Sequence, residues 1–314
     1  MDRNVALVLG GGGAAGNAWQ IGVVAGLAEA GFDLTEAADL VIGTSAGATV
    51  AAQVRSGLPA AELLASVLSE AGRPVAGGPG RPSRSPSSAA SSLPMETVFA
   101  RMRKISAAAT SALELQRAMG AFGLESDAVL APEAGEQRRA LVASRLPGTE
   151  WSDRAMVVVA VDAHTGEVAA LDRESGIELV DAVTASTALP GLVPTHAVNG
   201  KRYINGGVRS AENADLAAGY ANVVVLSPFG GRGEAPLQPG QFEGLRRSPE
   251  WGTDLPSQVE SLRKNGSRVE VITPDADSLA AMGTNQMDPA TRVPAARAGY
   301  VQGKREAARV TLTG

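Results

Sequence analysis

Short hydrophobic runs alternate with helix-length stretches along most of this chain. The first two runs, at 5–9 (VALVL) and 40–42 (LVI), each lead into a turn that contains glycine. Runs of this length bounded by glycine are typical of strands buried on both faces. Similar runs predict further strands at 155–161, 167–171, 201–205, 222–226 and 268–272.

The stretches between these runs predict helices. Residues 18–30 follow the first run and end before Gly31, and an Ala-rich stretch ends at about residue 56, before Gly57. Two successive strand–glycine–helix units indicate a parallel sheet. Further helices are predicted within 96–145, over 177–186 and over 288–310. We therefore expect one α/β domain over 1–314, with helices on both faces of an open, mainly parallel sheet.

One long segment interrupts this pattern. Residues 72–94 are rich in Pro, Gly, Ser and Arg and lack apolar anchors. This composition is typical of a mobile surface loop or linker, and a lid over a site entrance is the functional alternative. Residues 230–250 predict a second loop rich in Gly and Pro.

Composition excludes several classes of site and partner. The net charge of −5 gives no general attraction to nucleic acid, and the absence of Cys excludes disulfides and thiolate sites. With His164 and His196 as the only histidines, we expect no metal and no cofactor. The N-terminus lacks signal-peptide features and no apolar window is long enough to span a membrane, so we expect a cytoplasmic protein. Transient contact with a membrane stays open.

The first glycine turn, GGGGAAG at 10–16, admits three interpretations. It satisfies G-x-G-x-x-G, but a dinucleotide site would also need an acidic residue after the second strand, and none is present. The glycines could serve only a tight strand-to-helix turn. Alternatively, successive N–H groups at a helix N-terminus could form an oxyanion hole, provided that a nucleophile lies nearby.

The second glycine turn supplies that candidate nucleophile. GTSAG at 43–47 is a G-x-S-x-G sequence between a predicted strand and a predicted helix, which is the context of a nucleophile elbow. A sharp turn leaves little room for side chains beside the serine, and this explains Gly43 and Gly47. Ser45 is therefore the candidate nucleophile, and an ordinary helix N-cap is the alternative.

Several segments together resemble the patatin-like phospholipases, a family of serine acyl hydrolases. The segments are LVLGGGGAAGNAWQIGVVAGL, VIGTSAGA, VTASTALPGLVP and YINGGV, and the C-terminal AGYVQGKREAA resembles the last helix of bacterial members. They occur in the family's order over about residues 5–310. The resemblance implies a three-layer α/β/α sandwich with a mainly parallel central sheet.

The resemblance also implies roles for particular residues. The family uses a Ser–Asp dyad without histidine, and its serine corresponds to Ser45. Its oxyanion hole corresponds to Gly11, Gly12 and Gly13. Its base is the aspartate of an Asp-Gly-Gly or Asp-Gly-Ala turn, and Asn205 occupies that position here. The implied chemistry is attack on an acyl ester, an acyl-enzyme, and then hydrolysis or transfer to another acceptor.

Two positions depart from the family pattern. Ala15 stands where the glycine loop usually carries Arg or Lys, a residue often associated with phosphate-bearing or lipid substrates. A neutral ester or thioester is correspondingly more plausible. The second departure is Asn205, because an amide can hydrogen-bond to Ser45 but cannot act as a base near neutral pH. We expect this chain to bind acyl substrates and to turn them over slowly.

Three explanations of Asn205 stay open. It could replace the aspartate of an active enzyme in order to trap a substrate, belong to a natural pseudoenzyme that binds an acyl ligand or partner, or accompany a different base. His196, in a predicted loop, is the nearest histidine in sequence. Asp162 and Asp215 are weaker candidates that we expect to be structural or solvated.

The sequence thus favours a serine acyl hydrolase acting on an acyl ester or lipid. An acyltransferase with the same dyad and a non-catalytic acyl-binding protein are the alternatives. The stretch 185–194 (ASTALPGLVP) predicts a helix end with a rigid turn, or a wall of the pocket. The sequence does not indicate an oligomeric state.

Overall fold

The computed structural model describes residues 4–70, 94–130, 133–230, 245 and 247–310. The predicted lid or linker, 72–94, lies outside the described residues except for Pro94. Most of the predicted 230–250 loop lies outside them as well.

The described strands form one mixed sheet. Five of them run parallel in the order β3-β2-β1-β7-β8, while β4, β5 and β6 are antiparallel to their neighbours. The bounds are β1 Val5–Leu9, β2 Leu40–Thr44, β3 Met156–Asp162, β4 Val168–Leu171, β5 His196–Val198, β6 Lys201–Asn205, β7 Asn222–Leu226 and β8 Arg268–Ile272.

The strand β5 corrects the prediction that His196 lies in a loop. His196 pairs with Tyr203 of β6 in a hairpin. Both residues of its turn, Asn199 and Gly200, have positive φ, at 51° and 74°. Asn-Gly is a strong sequence signal for a two-residue hairpin turn, and this signal could have predicted the strand.

Helices cover the sheet. The first begins at Gly13 rather than at residue 18, because the glycine loop leads directly into its first turn. The second, fourth, ninth and tenth helices were not predicted. Among the described helices, none combines the length and hydrophobicity needed to cross a membrane. The bounds are α1 Gly13–Glu29, α2 Leu34–Ala37, α3 Ala46–Val54, α4 Ala60–Leu68, α5 Met95–Ala108, α6 Ala112–Asp127, α7 Ala134–Ala143, α8 Leu179–Ser186, α9 Leu255–Lys264, α10 Ala276–Met282 and α11 Arg292–Glu306.

The central strands supply side chains to two hydrophobic cores. In β1, Leu7 and Leu9 enter the core shared with α1, α3, α8 and α11, whereas Ala6 and Val8 enter the core that contains residues of α9. Alternation of this kind follows from the two-residue period of a strand. The arrangement confirms the predicted three-layer α/β/α sandwich. A third cluster lies between α5, α6 and part of β3 and β6.

Helices α1 and α11 approach each other closely through glycine. A Cβ atom at Gly22 would lie 2.2 Å from the carbonyl oxygen of Ala296, and one at Gly303 would lie 2.3 Å from that of Val23. No real side chain fits at such distances. The close crossing fixes α1, and therefore the glycine loop at its N-terminus, against the C-terminal helix.

The register of β3 brings the ends of two distant strands together. Val159 pairs with both β2 and β4, while Ala160 pairs with both β4 and β6. Because β4 already occupies one side of β3 at both positions, β2 and β6 must both lie on the other side, one after the other along β3. They run in opposite directions and meet end to end, with Thr44 opposite Val159 and Asn205 opposite Ala160.

Candidate active site

The turn between β2 and α3 has the geometry of a nucleophile elbow. Ser45 adopts φ 55° and ψ −118°, a conformation that L residues rarely occupy. A Cβ atom at Gly47 would lie 2.0 Å from the carbonyl oxygen of Leu9, and one at Gly43 would lie 2.6 Å from the Cα of Ala48. The structure thus supplies the steric reason that the sequence suggested for both glycines.

The side chain of Ser45 does not cap the helix that follows it. It makes no capping hydrogen bond to α3, although Ser45 occupies the N-cap position. Its Oγ instead accepts a hydrogen bond of 2.9 Å from Nδ2 of Asn205. Its backbone N–H donates to Oγ of Ser186, also at 2.9 Å. These contacts favour the nucleophile interpretation over the N-cap alternative.

The orientation of the Asn205 amide follows from its second contact. Oδ1 accepts the backbone N–H of Gly207 at 2.8 Å. An N–H group can only donate, so the amide oxygen must face Gly207 and the NH₂ group must face Ser45. Asn205 is 4% exposed, so its side chain has little access to water.

The stretch 185–194 contacts both members of the Ser45–Asn205 pair. It ends α8, as predicted, and Ser186 accepts the Ser45 N–H. Two residues later, the carbonyl of Ala188 accepts the Asn205 N–H at 2.8 Å. Sequence reasoning did not single out Ser186, because its role depends on a contact across 141 positions of sequence.

The glycine loop lies beside the elbow. A Cβ atom at Gly11 would lie 3.5 Å from the Cβ of Ser45, which is ordinary contact distance. The N–H of Gly11 donates to the carbonyl of Ala211 at 2.8 Å. Among the described residues, the N–H groups of Gly12 and Gly13 have no hydrogen-bond partner, as expected at the start of a helix.

A small cleft extends from the glycine loop. Phe229 joins the cleft to the elbow, because its ring lies 3.6 Å from the Cβ position of Gly11. Gln286 is buried in the wall, and both polar atoms of its amide lack a hydrogen-bond partner among the described residues. The lining residues are Gly13, Phe99, Phe229, Thr284, Asn285, Gln286 and Met287.

The segment 210–213 forms hydrogen bonds to the glycine loop and to Thr44, the residue before Ser45. The carbonyl of Glu212 accepts a hydrogen bond from the Thr44 hydroxyl at 3.3 Å, and its carboxyl accepts one from the Ser227 hydroxyl at 2.7 Å. Burial raises the pKa of Glu212, and the Ser227 hydrogen bond and the charge of Arg247 oppose that rise. Sequence reasoning also missed this residue.

The other candidate bases have partners of their own. Nε2 of His196 lies 3.0 Å from the Asp181 carboxylate, and burial lowers the pKa of His196 while Asp181 opposes that change. Asp215 forms an ion pair with Arg209, and Asp162 accepts two backbone N–H groups of the turn after β3. Within the part of the chain that the structure describes, no three His, Asp or Glu side chains come together as a metal site.

Comparison with known proteins identifies the family. No curated protein matches this chain. The crystal structure of VipD from Legionella pneumophila is 13% identical, with a TM-score of 0.42, over 98% of this chain and 67% of that one. A family model described as patatin-like phospholipase matches residues 7–218, which is more than half of the 314 residues and includes Ser45 and Asn205. The chain therefore belongs to the patatin-like phospholipase family, and this membership indicates a lipid acyl hydrolase.

Proposed function

We propose that this protein is a serine acyl hydrolase built around Ser45, and that the chain with Asn205 is a slow form of it. One observation carries the proposal. Asn205 lies 2.9 Å from the Ser45 hydroxyl and is held in place by Gly207. The position that a base must occupy is filled, and the group that fills it differs from a carboxylate by one atom.

An aspartate at position 205 would complete the reaction. One carboxylate oxygen would keep the Gly207 N–H, and the other would face the Ser45 hydroxyl and accept its proton. The serine oxygen would then attack the acyl carbon, the ester C–O bond would break, and the carboxyl would return the proton to the departing oxygen, which leaves as the alcohol from an acyl-enzyme. Water, or another acceptor in the case of a transferase, would release the acyl group with help from the same carboxylate.

The start of α1 offers charge stabilisation for this chemistry. The N–H groups of Gly12 and Gly13, which have no partner among the described residues, and the positive end of the helix would stabilise the developing oxyanion. Gly11 contributes differently, because its N–H is already used by Ala211. Its lack of a side chain keeps the space beside Ser45 open.

Asn205 leaves binding possible and removes the base. Its NH₂ group donates to Ser45 Oγ, so the amide cannot take the serine proton. General-base assistance is typically worth about 10²–10⁴ in rate. The glycine loop does not depend on this atom, so its N–H groups stay in place to receive an acyl group.

The Asn205→Asp variant tests the proposal. We expect kcat/KM on p-nitrophenyl esters of graded chain length to rise by about 10²–10⁴. Adding Ser45→Ala should abolish the gain, and a fluorophosphonate probe should label Ser45 in the Asn205→Asp variant. Asn265→Asp is a matched control, since Asn265 is exposed at the end of α9. An inactive Asn205→Asp variant that still folds, or one that stays active without Ser45, would contradict the proposal.

A further inference from the structure

The two members of the Ser45–Asn205 pair stand at the ends of strands that do not pair with each other. Ser45 follows the last residue of β2, and Asn205 is the last residue of β6. Both strands pair with β3, where Val159 lies opposite Thr44. The carbonyl oxygen of Val159 would lie 2.2 Å from a Cβ atom at Gly206. The described sheet pairings thus hold each strand to β3, and none of them joins the two strand ends to each other.

A buried asparagine lies between these two strand ends. The NH₂ group of Asn213 donates to the Thr44 hydroxyl at 3.1 Å and, at a longer 3.4 Å, to the carbonyl of Gly206. Thr44 directly precedes Ser45, and Gly206 directly follows Asn205. The side chain of Asn213 is fully buried. One amide therefore contacts a neighbour of each member of the pair.

Other contacts fix the orientation of this amide. Oδ1 of Asn213 accepts a hydrogen bond from Nη1 of Arg209 at 2.7 Å. Because a guanidinium can only donate, the NH₂ group must face the strand ends. It also donates to the carbonyl of Ser210 at 2.8 Å. Arg209 is held in turn by an ion pair with Asp215, so the amide has a fixed support on its oxygen side.

The backbone of Asn213 suits an asparagine. Its φ of 55° and ψ of 42° lie in the left-handed region, which Gly and Asn adopt more readily than other residues. Asn199, in the turn between β5 and β6, is the other described asparagine with a positive φ. Asn199 is exposed, lies at the opposite end of β6 from Asn205, and donates to the carbonyl of Gly176. The two asparagines thus share a backbone conformation and differ in what their side chains contact.

The segment 210–213 also contacts the glycine loop. The carbonyl of Ala211 accepts the N–H of Gly11 at 2.8 Å, and the carbonyl of Glu212 accepts the Thr44 hydroxyl at 3.3 Å. The Thr44 hydroxyl therefore donates to Glu212 and accepts from Asn213. The residue before the nucleophile is held through both a donor and an acceptor of the same short segment.

We propose that Asn213 is a positioning residue, which sets the distance between the Ser45 hydroxyl and the side chain at position 205. The proposal rests on the acyl-hydrolase function proposed above and adds a residue to it. A general base must lie within hydrogen-bond reach of the proton that it takes, about 2.6–3.2 Å. A displacement of about 1 Å can lower a rate by about 10². Asn213 acts through Thr44 and Gly206 rather than on the substrate.

The Asn213→Gly variant tests the proposal in the Asn205→Asp background. Glycine adopts the left-handed backbone and removes the amide. We expect kcat on p-nitrophenyl butyrate, counted per site titrated with a fluorophosphonate, to fall about 10- to 100-fold, while KM changes less than about threefold. Asn199→Gly is the matched control and should change neither value. A merely structural role would lower the number of titrated sites and leave kcat per site unchanged, and that result would overturn the proposal.

Thr44→Val is a second test, which leaves Asn213 in place. Valine has a shape similar to that of threonine and lacks the hydroxyl that accepts from Asn213. We expect kcat per site to fall about 10-fold. The double variant should stay within about threefold of Asn213→Gly alone, because Asn213→Gly already removes that contact. Losses that multiply would contradict the route through Thr44. If Asn213→Gly does not fold, an unchanged kcat per site in Thr44→Val would refute the proposal.

A measurement without turnover separates this proposal from the proposed function. In the unmodified chain, the NH₂ group of Asn205 donates to Ser45, so hydrogen exchange at this group reports on the contact. Its signal in spectra of the ¹⁵N-asparagine-labelled chain is identified by its absence from Asn205→Asp. We expect Asn213→Gly to speed this exchange by about 10-fold and Asn199→Gly to leave it unchanged.

The two proposals can then fail separately. If Asn205→Asp is inactive but Asn213→Gly speeds the exchange at Asn205, the hydrolase proposal fails and the positioning role stands. If Asn205→Asp is active and Asn213→Gly changes neither kcat per site nor the exchange, the positioning role is refuted and the hydrolase stands.

Discussion

Gly207 donates its N–H to Oδ1 of Asn205, and this single contact decides how the Ser45–Asn205 pair can react. With the oxygen held by Gly207, the amide presents hydrogen atoms to Ser45. A carboxylate held in the same way would present a lone pair. The group that faces Ser45 is therefore set by one atom of residue 205, and the backbone of Gly207 fixes the orientation of that group.

Glu212 is a second residue whose surroundings determine its chemistry, in this case its protonation. Because burial raises its pKa above 4.5, the folded state holds the proton to a higher pH than the unfolded state does. The stability that this proton contributes is complete below about pH 4.5 and is lost as the pH rises through the folded-state pKa.

Glu212→Gln should remove this pH dependence, because glutamine imitates the neutral carboxyl. The free energy of unfolding of the variant relative to the parent should rise by up to about 1.4 kcal/mol per pH unit above pH 4.5, until the folded-state pKa is reached. Urea unfolding at pH 5, 6, 7 and 8 measures this difference. Glu62→Gln, on the exposed face of α4, is the control. A difference that stays constant with pH would contradict the prediction.

At the scale of the elements, the close packing of α1 against α11 fixes the position of the glycine loop. Their backbones meet where Gly22 and Gly303 leave room for a facing carbonyl. Small residues thus hold this pair of helices together by letting their backbones touch, whereas elsewhere in the core large apolar side chains fill the space between elements. Any side chain added at these positions must push α1, and the N–H groups at its start, away from their present place.

Gly303→Ala should destabilise the fold by about 1–3 kcal/mol, because its Cβ would lie 2.3 Å from the Val23 carbonyl. Gly135→Ala in α7 is the matched control, since a Cβ atom there meets nothing within 4 Å. It should leave the free energy of unfolding unchanged or raise it by at most about 1 kcal/mol. Urea unfolding of both variants measures the effect, and equal results for the two would refute the steric explanation.

At the scale of the whole molecule, the helices on the two faces of the sheet pack against the same strands. The strands β1, β2 and β7 contribute side chains to both main cores, and β3 and β6 reach the third cluster through Val161 and Ile204. No layer can be removed without exposing the side chains of another. We therefore expect the described layers to behave as one cooperative unit.

Urea unfolding should accordingly show one transition. Trp19 lies in the first core, Trp151 packs against it, and Trp251 packs against the third cluster. Tryptophan emission and far-UV circular dichroism should have the same midpoint, and Trp19→Phe should keep that coincidence while reporting on the other two residues. A separate, earlier change in Trp251 emission would show instead that the α5–α6 cluster unfolds independently.

Much of the fold was predictable because its signals are local. The bounds of β1, β7 and β8 were predicted as the structure has them, since β1 and β7 are mainly apolar runs of strand length and β8 alternates charged and apolar residues before Ile272. The elbow at Ser45 was predictable from G-x-S-x-G in a strand–turn–helix context. The helix α9 escaped prediction although Asp254, its N-cap, precedes an apolar periodicity at Leu255, Val259 and Leu262.

The sequence by itself determined the alternation of strands and helices, the elbow motif, the glycine loop and the amide at position 205, because each depends on residues close together in the chain. Only the tertiary structure decided what those parts contact. The register of β3 brings the ends of β2 and β6 together, and it thereby places Asn205 beside Ser45 across 160 positions of sequence. The fold likewise brought Ser186 and Glu212 to the site, since nothing near them in sequence indicates which distant groups they meet.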